Sequence, residues 1–417
     1  MNTLKTTLLT VLLLLPLSLM AAFPSPSVTI TVINPTQDLR QELVEMDASL
    51  IRQKLGLTSD AKFRVINALR QEVIYQLTYD GKLLIEASVR PHGTASFTIV
   101  PGSPRHMKTW VYGRQYPERV DDIAWENDRG AYRLYGPALQ RNKERAFGND
   151  VWVKNTPDLV VEQRYNLELS NHASIVALRE AGNTATADSL EELTTYHYDH
   201  GYGLDCYKVG PSLGCGAPAL LRDTNPQSLS YPEIIFPYCY TDYKILDNGP
   251  LRFTVSLTYE TKEFQGDRIT EHRLLSLDKG SNFNRQTVWY EGATKPLDIA
   301  SGVVIHNEDT TSVYIAGSCV LYADPTDNPA AQNFQIFVGV VFPYDPVELL
   351  RIPNEGAANG INGHALVVRR GVQPGERVTY YWGSAWSKYD CRNFMEWMVR
   401  VKALYQELEH PLKVSIE

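Results

Sequence analysis

Short segments that alternate apolar and polar residues, separated by turn residues, occur along most of this chain of 417 residues. The clearest pair, Val73–Tyr79 and Leu83–Val89, flanks the dipeptide Asp80-Gly81. An Asp-Gly dipeptide between two such segments is a strong β-hairpin signal, because both turn positions of that hairpin need a positive φ. Alternation with a period of two indicates strands that bury one face. We therefore predict a mainly β chain built from antiparallel strands.

Further strands are predicted to the end of the chain, with few helices. Alternating segments lie at residues 25–34, 95–100, 131–135, 160–170, 269–278, 285–290, 312–321, 334–342, 364–369 and 377–382, and two more flank the turn at 247–250. Residues 393–409 carry Phe394, Trp397, Val401 and Leu404 at spacings of three or four, which predicts an amphipathic C-terminal helix. Residues 174–193 favour a helix or an irregular excursion, and the type of residues 37–55 stays open.

The N-terminus has the composition of a secretion signal. Lys5 precedes an apolar, leucine-rich run at residues 6–20, and the small residues Ala21 and Ala22 offer a cleavage site. The run is shorter than the roughly 20 residues that span a bilayer, and no later segment is apolar enough to do so. We predict a periplasmic or extracellular protein with a signal peptide at 1–22, an N-terminal β unit at 23–105 packed on the main body, and a main β domain at 106–417.

Charge and composition argue against two classes of partner. The net charge is −8 and no run of Lys or Arg forms a basic stripe, so neither nucleic acid binding nor membrane insertion is expected. Tyrosine is in excess, with 24 Tyr and 7 Trp against 12 Phe. Such amphipathic aromatics are typical of surfaces that stack on sugars, and equally of β-sheets. The chain is expected to be a monomer.

The five cysteines leave two alternatives open. Either Cys206 and Cys215 form a disulfide in an oxidising compartment, or all five are buried thiols. Their spacings match no zinc motif. His197, Asp199 and His200 form only a weak candidate metal set, so no cofactor and no metal site is predicted, while a divalent ion such as calcium stays open.

One stretch, residues 196–216, concentrates groups that transfer protons, and we call it the central segment. It holds two His, four Tyr, two Asp, one Lys and five Gly within 21 residues. Glycine suits a loop with sharp turns, and the other side chains are those of acid–base catalysis. The alternative is a turn-rich connection whose aromatics pack on a sheet. The candidate catalytic residues are His197, His200, Tyr202, Asp205, Tyr207 and Lys208.

A second stretch, residues 112–139, is rich in arginine and acids. Four Arg stand among five Asp or Glu side chains. A guanidinium can hold a uronic acid carboxylate through two parallel hydrogen bonds, although most of these charges are expected to pair with one another in a structural network. Residues 131–135 alternate, which places Arg133 and Tyr132 on opposite faces of a strand. The candidate substrate-binding residues are Arg114, Arg119, Glu126, Arg133, Tyr135 and, near the C-terminus, Trp386.

These stretches carry a resemblance to a known family. The motifs that resemble domain-of-unknown-function family 4861 are Trp125-Glu126-Asn127-Asp128, residues 132–139, residues 203–210 with Leu213-Gly214, and residues 247–252. The resemblance covers nearly all of the mature chain. It implies a secreted bacterial protein with a large antiparallel, galactose-mutarotase-like β-supersandwich, encoded in loci that degrade acidic plant polysaccharides. It carries over no catalytic residues.

Two chemistries fit a uronic-acid-containing glycan. β-Elimination needs a base, an acid and a cation that neutralises the carboxylate, which the central segment and an arginine of residues 112–139 supply. Hydrolysis needs two carboxylates, for which the candidates are Glu126, Asp128, Asp199 and Asp205. We expect an enzyme on acidic oligosaccharides or polysaccharides, a lyase ahead of a glycoside hydrolase, with a non-catalytic glycan-binding protein or a sugar mutarotase also open. His306, which follows apolar residues 303–305, is a further candidate to point into a cleft.

Overall fold

The computed structural model describes residues 26–223, 231–306, 312–325, 333–343, 346–354 and 360–417. The predicted signal peptide at residues 1–22 lies outside these ranges. Within them, no helix combines the length and apolar character needed to cross a membrane.

The N-terminal segment forms two antiparallel sheets around one core. Its elements are β1 (Val28–Ile33), β2 (Arg40–Asp47), α1 (Ala48–Leu55), β3 (Phe63–Asn67), β4 (Glu72–Val73), β5 (Tyr75–Leu77), β6 (Lys82–Val89) and β7 (Thr94–Pro101). The last strand of the chain, β27 (Lys413–Ile416), joins sheet A, whose order is β27-β1-β7-β3-β4, while sheet B has the order β2-β6-β5. The hairpin predicted at Asp80-Gly81 is confirmed, because Leu77 pairs with Leu83.

The next segment forms a five-stranded antiparallel sheet C, with the order β12-β11-β10-β9-β8. Its elements are β8 (Tyr112–Tyr116), a 3-10 helix (Pro117–Arg119), β9 (Asp122–Glu126), β10 (Gly130–Leu134), α2 (Pro137–Arg141), β11 (Asn149–Val153), α3 (Val161–Glu180), α4 (Thr184–Thr194) and β12 (Leu204–Asp205). The predicted phase of β10 is confirmed. Tyr132 packs edge to face on Trp382 in the main core, whereas Arg133 lies over the ring of Trp152 on the opposite face.

The strand predicted at residues 160–170 is wrong, because this stretch belongs to helix α3. Its buried residues Val161, Arg164 and Tyr165 follow the i, i+3, i+4 spacing of a helix face. The alternation of Tyr165, Leu167 and Leu169 suggested a strand, but the two leucines are only half-buried. Helix α3 packs on sheet C through Trp152 and Tyr165.

The remaining chain builds the two sheets of a sandwich, one of five strands and one of nine. Its strands are β13 (Cys215–Arg222), β14 (Glu233–Ile235), β15 (Tyr240–Asn248), β16 (Arg252–Tyr259), β17 (Lys262–Phe264), β18 (Asp267–Asp278), β19 (Phe283–Glu291), β20 (Leu297–Ile305), β21 (Val313–Ala316), β22 (Cys319–Asp324), β23 (Ile336–Val341), β24 (Glu348–Pro353), β25 (Gly363–Val372) and β26 (Val378–Trp386). Sheet D has the order β14-β13-β20-β25-β24. The nine-stranded sheet E has the order β15-β16-β18-β19-β26-β23-β22-β21, with β17 paired to β18.

One hydrophobic core joins sheets C, D and E. Trp125 of sheet C, Val303 of sheet D and Trp382 of sheet E all belong to it and are fully buried. The predicted C-terminal helix is confirmed as α5 (Phe394–Glu409), which packs Trp397 on the other face of sheet E and begins at the Asn393 side chain. The mainly β class, the large antiparallel sandwich and the small number of helices are therefore as predicted.

All five cysteines lie in the described part of the chain and are buried thiols. Cys206 and Cys215 are both in the main core. Burial raises the pKa of the Cys215 thiol to about 12, so this sulfur stays protonated and unreactive at neutral pH. Of the two alternatives for these cysteines, the structure therefore shows buried thiols.

Candidate active site

The central segment is divided among three environments. Its beginning, with Tyr198, Asp199 and His200, lines an open cleft. Asp205 in β12 turns to a buried arginine cluster beneath helix α3. Tyr207 enters the main core beside His306. The sequence placed all of these groups in one site, whereas the fold separates them.

The cleft has a volume of about 590 Å³ and lies where the sandwich meets helix α4. It is lined from four parts of the chain, by Ser189, Glu192 and Leu193 of α4, Tyr198, Asp199 and His200 of the central segment, Asn333 and Phe334 before β23, and Trp386 and Lys388 at the end of β26. Small-molecule sites in proteins span roughly 300–1,000 Å³, so this cleft has the size of a ligand site.

Lys388 is the cation of this cleft. Its Nζ forms an ion pair with the carboxylate of Asp199. The same Nζ lies 5.3 Å from the ring centroid of Trp386 and 5.7 Å from that of Phe334, within cation–π range of both. The Lys388 ammonium lies beside both rings, so the cleft presents a positive charge next to aromatic surface, a combination that suits an acidic sugar.

The Asp199 carboxylate is held in place by its own loop. The amides of Gly201 and Gly203 each donate to its Oδ1 at 2.9 Å. Burial raises the pKa of Asp199, but the hydrogen bonds from Lys388 and the two glycine amides outweigh burial and lower the pKa overall. Asp199 is therefore ionised at neutral pH. Gly203 is required here, because at φ +96 a Cβ would lie 2.1 Å from the carbonyl oxygen of Val153.

Three aromatic residues border the cleft, and they differ in accessibility. Trp386 is only 2% exposed, since its Nε1 donates to the carbonyl of Asn333 at 2.8 Å and its ring is part of the core. Phe334 is 56% exposed and Tyr198 is 44% exposed. Phe334 has a φ of +62, a left-handed conformation that a large side chain rarely adopts without a local constraint. Phe334 and Tyr198 are thus the aromatic surfaces open to a ligand.

His200 lies in the same cleft with one ring nitrogen engaged. Its Nε2 is 2.9 Å from the carbonyl oxygen of Thr195, so Nε2 carries the proton. The tautomer leaves Nδ1 as an acceptor. His200 and Tyr202 are neighbours, with ring centroids 6.2 Å apart.

The arginine cluster is built on the face of sheet C that α3 covers. Arg133 Nη2 pairs with Asp150 and lies 3.1 Å from Asp205 Oδ2, while its Nε is 4.0 Å from Asp122 Oδ2. Tyr135 donates from its hydroxyl to Asp150 at 3.2 Å. Arg133 and its three carboxylates are all buried. Among the described residues, no group of three or more His, Cys, Asp or Glu side chains is arranged to hold a metal ion.

Asp122 is the carboxylate of this cluster whose charge is least compensated. Burial raises its pKa to about 6, against the opposing effects of Arg133 and Arg119. Its Oδ1 accepts from the amide of Gly136 at 3.2 Å, whereas its Oδ2 is buried without a hydrogen-bond donor among the described residues. Three acids share Arg133, with Arg119 acting on Asp122 as well, so one carboxylate is only partly compensated.

A second acid–base group lies beyond the cluster, where β20 and β22 end. His306 Nδ1 is 2.6 Å from Asp324 Oδ2, and its ring packs edge to face on Tyr207 at 5.9 Å between centroids. His306 Nε2 and the Tyr207 hydroxyl are both buried and have no hydrogen-bond partner among the described residues. Such a group costs about 1–3 kcal/mol of stability, so two at one place require an explanation.

His364 is the neutral neighbour of this group. Its Nε2 accepts from the amide of Leu213 at 3.3 Å, which assigns the ring proton to Nδ1. Burial, and after it the charge of His306, lowers the pKa of His364 to about 4. His364 therefore stays uncharged at neutral pH, with its Nε2 engaged by the Leu213 amide.

The other sequence-predicted residues are engaged within the fold. Arg114 pairs with Glu118 and Glu162, and Arg119 donates to the hydroxyl of Tyr196 at 3.0 and 2.8 Å. Arg114 thus pairs with acids, as expected for most charges of residues 112–139, whereas the partner of Arg119 is an uncharged hydroxyl. Glu126 is buried and binds Lys154 at 2.7 Å.

The last three candidates, Tyr202, His197 and Lys208, also belong to the central segment. The carbonyl of Tyr202 accepts from Arg164 at 2.5 Å, and the guanidinium of Arg164 lies over the Tyr202 ring. His197 has an exposed side chain whose Nδ1 is 3.1 Å from the carbonyl oxygen of Asp205. Lys208 is exposed.

Sequence reasoning missed the partnership of His306 with Asp324 and that of Lys388 with Asp199. Lys388 stands beside Trp386 in a short aromatic and basic stretch, which was a usable signal. Asp324 gave no such signal, because it is the last residue of an apolar strand and its partner is on another strand.

Comparison with known proteins confirms the resemblance to a family. A family model described as "Domain of unknown function (DUF4861)" matches residues 32–414. A protein of Formosa agariphila named "Uncharacterized protein P7" is 26% identical over 349 residues, covering 80% of this chain and 78% of that protein.

Two solved structures resemble this chain weakly. An α-mannosidase from Enterococcus faecalis V583 has 10% sequence identity and a TM-score of 0.44, over 95% of this chain and 46% of that one. A glycosyl hydrolase family 38 protein from Enterococcus faecalis has 9% identity and a TM-score of 0.47, over 95% and 48%. The chain spans about half the length of these proteins. At TM-scores below 0.5, these similarities identify neither a shared site nor a shared activity.

Proposed function

This chain belongs to the DUF4861 family, and we propose that it is a secreted carbohydrate-active enzyme that cleaves uronic-acid-containing glycans by β-elimination. The observation that carries the proposal is the Lys388–Asp199 ion pair beside the adjacent rings of Trp386 and Phe334 in an open cleft. Secretion rests on the composition of residues 1–22.

The cleft supports an acidic sugar as the ligand. A uronate carboxylate can replace Asp199 as the partner of Lys388, because both are carboxylates and the Lys388 side chain is 39% exposed. The exposed rings of Phe334 and Tyr198 provide apolar surfaces for the sugar faces, which carry C–H groups. A neutral sugar would gain the stacking without the ion pair, so the cleft favours acidic over neutral glycans.

The acid–base groups favour β-elimination over hydrolysis. Elimination needs a base at the carbon next to the carboxylate, a proton donor for the leaving oxygen and a cation on the carboxylate. Lys388 supplies the cation in the cleft, and His200 and His306 each keep one ring nitrogen as an acceptor, so a histidine base is available. A two-carboxylate hydrolysis requires one protonated acid, and Asp199 has a lowered pKa instead.

The test is to incubate the purified mature chain with acidic and neutral glycans while recording ultraviolet absorbance and reducing ends together. A lyase raises both signals with acidic glycans only. Lys388→Met should raise KM for an acidic oligosaccharide by about 10-fold, the effect of losing roughly 1.4 kcal/mol of ion pairing. Lys402→Met is the matched control, because Lys402 is exposed on α5 away from the cleft.

The other outcomes contradict the proposal in different ways. Reducing ends without absorbance would establish a hydrolase. Absence of both signals, together with retention of the protein on an acidic glycan column, would establish a binding protein. Equal effects of Lys388→Met and Lys402→Met would remove Lys388 from the site.

A further inference from the structure

We propose that Tyr207 and His306 form the proton-transferring pair of this enzyme, and that Asp324 is the residue that positions His306. The inference rests on the proposed function, since it names the groups that carry out its proton transfers.

The first observation is that His306 is oriented from two sides. Its Nδ1 is 2.6 Å from Asp324 Oδ2, and its backbone amide donates to the hydroxyl of Tyr322 at 3.1 Å. An ionised carboxylate only accepts hydrogen bonds, so Nδ1 carries the proton and Nε2 keeps its lone pair. An oriented histidine with a bare Nε2 is the usual form of a general base.

The second observation is that two adjacent rings each carry a buried polar atom without a hydrogen-bond partner among the described residues. The rings of Tyr207 and His306 are nearly perpendicular, at 77°. Both the Tyr207 hydroxyl and His306 Nε2 are buried and lack a hydrogen-bond partner among the described residues. A purely structural pair would be satisfied by the fold, whereas a reactive pair keeps its atoms for a substrate.

The surrounding charges suit a proton donor and a proton acceptor. Burial raises the pKa of Tyr207 well above its usual value, and the nearby Cys215, Asp324, Tyr322 and Asp150 act in the same direction. Tyr207 is therefore the donor. His364, on the other side, is neutral and engaged with Leu213, so it does not compete for the proton.

The pair lies close to the cleft through sheet E. Asp324 of β22 is in register with Ile336 of β23, and Ile336 is in register with Trp386 of β26. Residues paired in this way point to the same face of a sheet, so Asp324 and Trp386 share the inner face. Two strand spacings separate their backbones by about 10 Å. The cleft and the pair are thus neighbouring parts of one rim of the sandwich.

The proposed step is balanced within the substrate and these two residues. His306 Nε2 removes the proton from C5 of the uronate, and the C5–H electrons form the C4=C5 double bond. The C4–O bond breaks, and its oxygen takes the proton of the Tyr207 hydroxyl. Transfer of the proton from His306 to the Tyr207 phenolate restores both groups, and no oxidant or further reactant is needed.

The test combines kinetics with stability. His306→Gln and Tyr207→Phe should each lower kcat on an acidic oligosaccharide by about 100-fold or more, with KM changed by less than about 2-fold. Tyr207→Phe should leave Tm unchanged or higher, because it removes a buried hydroxyl that has no partner. His272→Gln and Tyr243→Phe are the matched controls, since both side chains belong to strands of sheet E far along the order from β22.

A readout that does not depend on the substrate separates this inference from the proposed function. Nitrogen NMR of the histidine rings, with the His306 signals assigned by comparison with His306→Gln, should show His306 protonated at Nδ1 and unprotonated at Nε2. The variant Asp324→Asn should change that tautomer. It should also change the pH profile of kcat. Undiminished turnover in His306→Gln and Tyr207→Phe would overturn the proposed pair without contradicting lyase activity. If the wild type turns over no glycan, the proposed function fails. A His306 ring protonated at Nε2 overturns the inference in either case.

Discussion

One oxygen of Glu126 accepts hydrogen bonds from the amides of Val160 and Val161, each at 2.7 Å, while the other oxygen binds Lys154 Nζ at 2.7 Å. Val160 has no capping side chain of its own, so a residue of β9 provides the cap for helix α3. The Glu126 side chain is 2% exposed and that of Lys154 is fully buried. Glu126 thus fixes the helix that covers the arginine cluster.

We expect strong coupling between Glu126 and Lys154. Lys154→Met leaves a buried carboxylate without its countercharge and should lower the free energy of unfolding by about 3–5 kcal/mol. Glu126→Gln likewise leaves the buried ammonium of Lys154 without its countercharge. The double variant has no uncompensated charge, so its loss should be smaller than the sum of the two single losses. Denaturant unfolding of all four proteins measures this, and additive losses would show that the two residues act independently.

Asp122 should make stability depend on pH. Its pKa of about 6 is above the ordinary value of 3.8, so the folded state binds a proton that the unfolded state releases between pH 4 and 6. The favourable contribution is complete below about pH 4 and is lost as the pH rises through 6. Asp122→Asn should therefore gain stability relative to wild type as the pH rises from 4 to 8, by roughly 3 kcal/mol. Thermal melts of both proteins across this range measure the difference.

Asp150→Asn is the control for Asp122→Asn within the same cluster. It removes the carboxylate that pairs directly with Arg133 and should lower Tm at every pH above 4. A constant difference between Asp122→Asn and wild type across pH 4 to 8 would contradict the raised pKa of Asp122.

Two glycines of the central segment should respond differently to the same substitution. Gly201 and Gly203 have φ values of +97 and +96, so alanine is strained at both by about 1–2 kcal/mol. Only at Gly203 does the new Cβ also meet the backbone, at 2.1 Å from Val153 O. Gly203→Ala should therefore lower Tm much more than Gly201→Ala. Equal melting temperatures would show that the loop can move away from β11.

Replacement of Arg133 should lower the free energy of unfolding much more than replacement of Arg129. Arg133→Ala leaves three buried carboxylates without their arginine and should cost about 3–5 kcal/mol or prevent folding. Arg129→Ala removes a partly exposed pair with Asp390 and a hydrogen bond to Gly280, which is worth about 1 kcal/mol. Equilibrium unfolding of the two variants compares them. Similar losses would contradict a special structural role for Arg133 in the cluster.

The sequence predicted the elements whose signals are local. The Asp80-Gly81 hairpin, the phase of Arg133 in β10 and the spacing in α5 depend on residues close together in the chain. Helix α3 was mistaken for a strand because Tyr165, Leu167 and Leu169 alternate. The helix is stabilised instead by packing on sheet C and by the cap that Glu126 provides. Neither contribution can be recognised from neighbouring residues in the sequence.

The candidate site was harder to predict, because its partners are far apart in sequence. Asp199 meets Lys388, and Tyr207 meets His306, only after sheets C, D and E have packed together. The density of Tyr, His and Asp in the central segment indicated a functional stretch, and three residues of that segment line the cleft. It could not show that the segment passes through three environments, since the path depends on the positive φ values of Gly201 and Gly203.

The pairing of β27 with β1 has a consequence for how the chain reaches its folded state. Ile30 pairs with Ile416, the greatest sequence separation of any strand pair among the described residues. Until residues 413–416 are available for pairing, β1 is an open edge of sheet A. An open edge of apolar strands is a template for aggregation. Strand β27, which has only four residues, therefore covers the edge of β1 and ends its exposure.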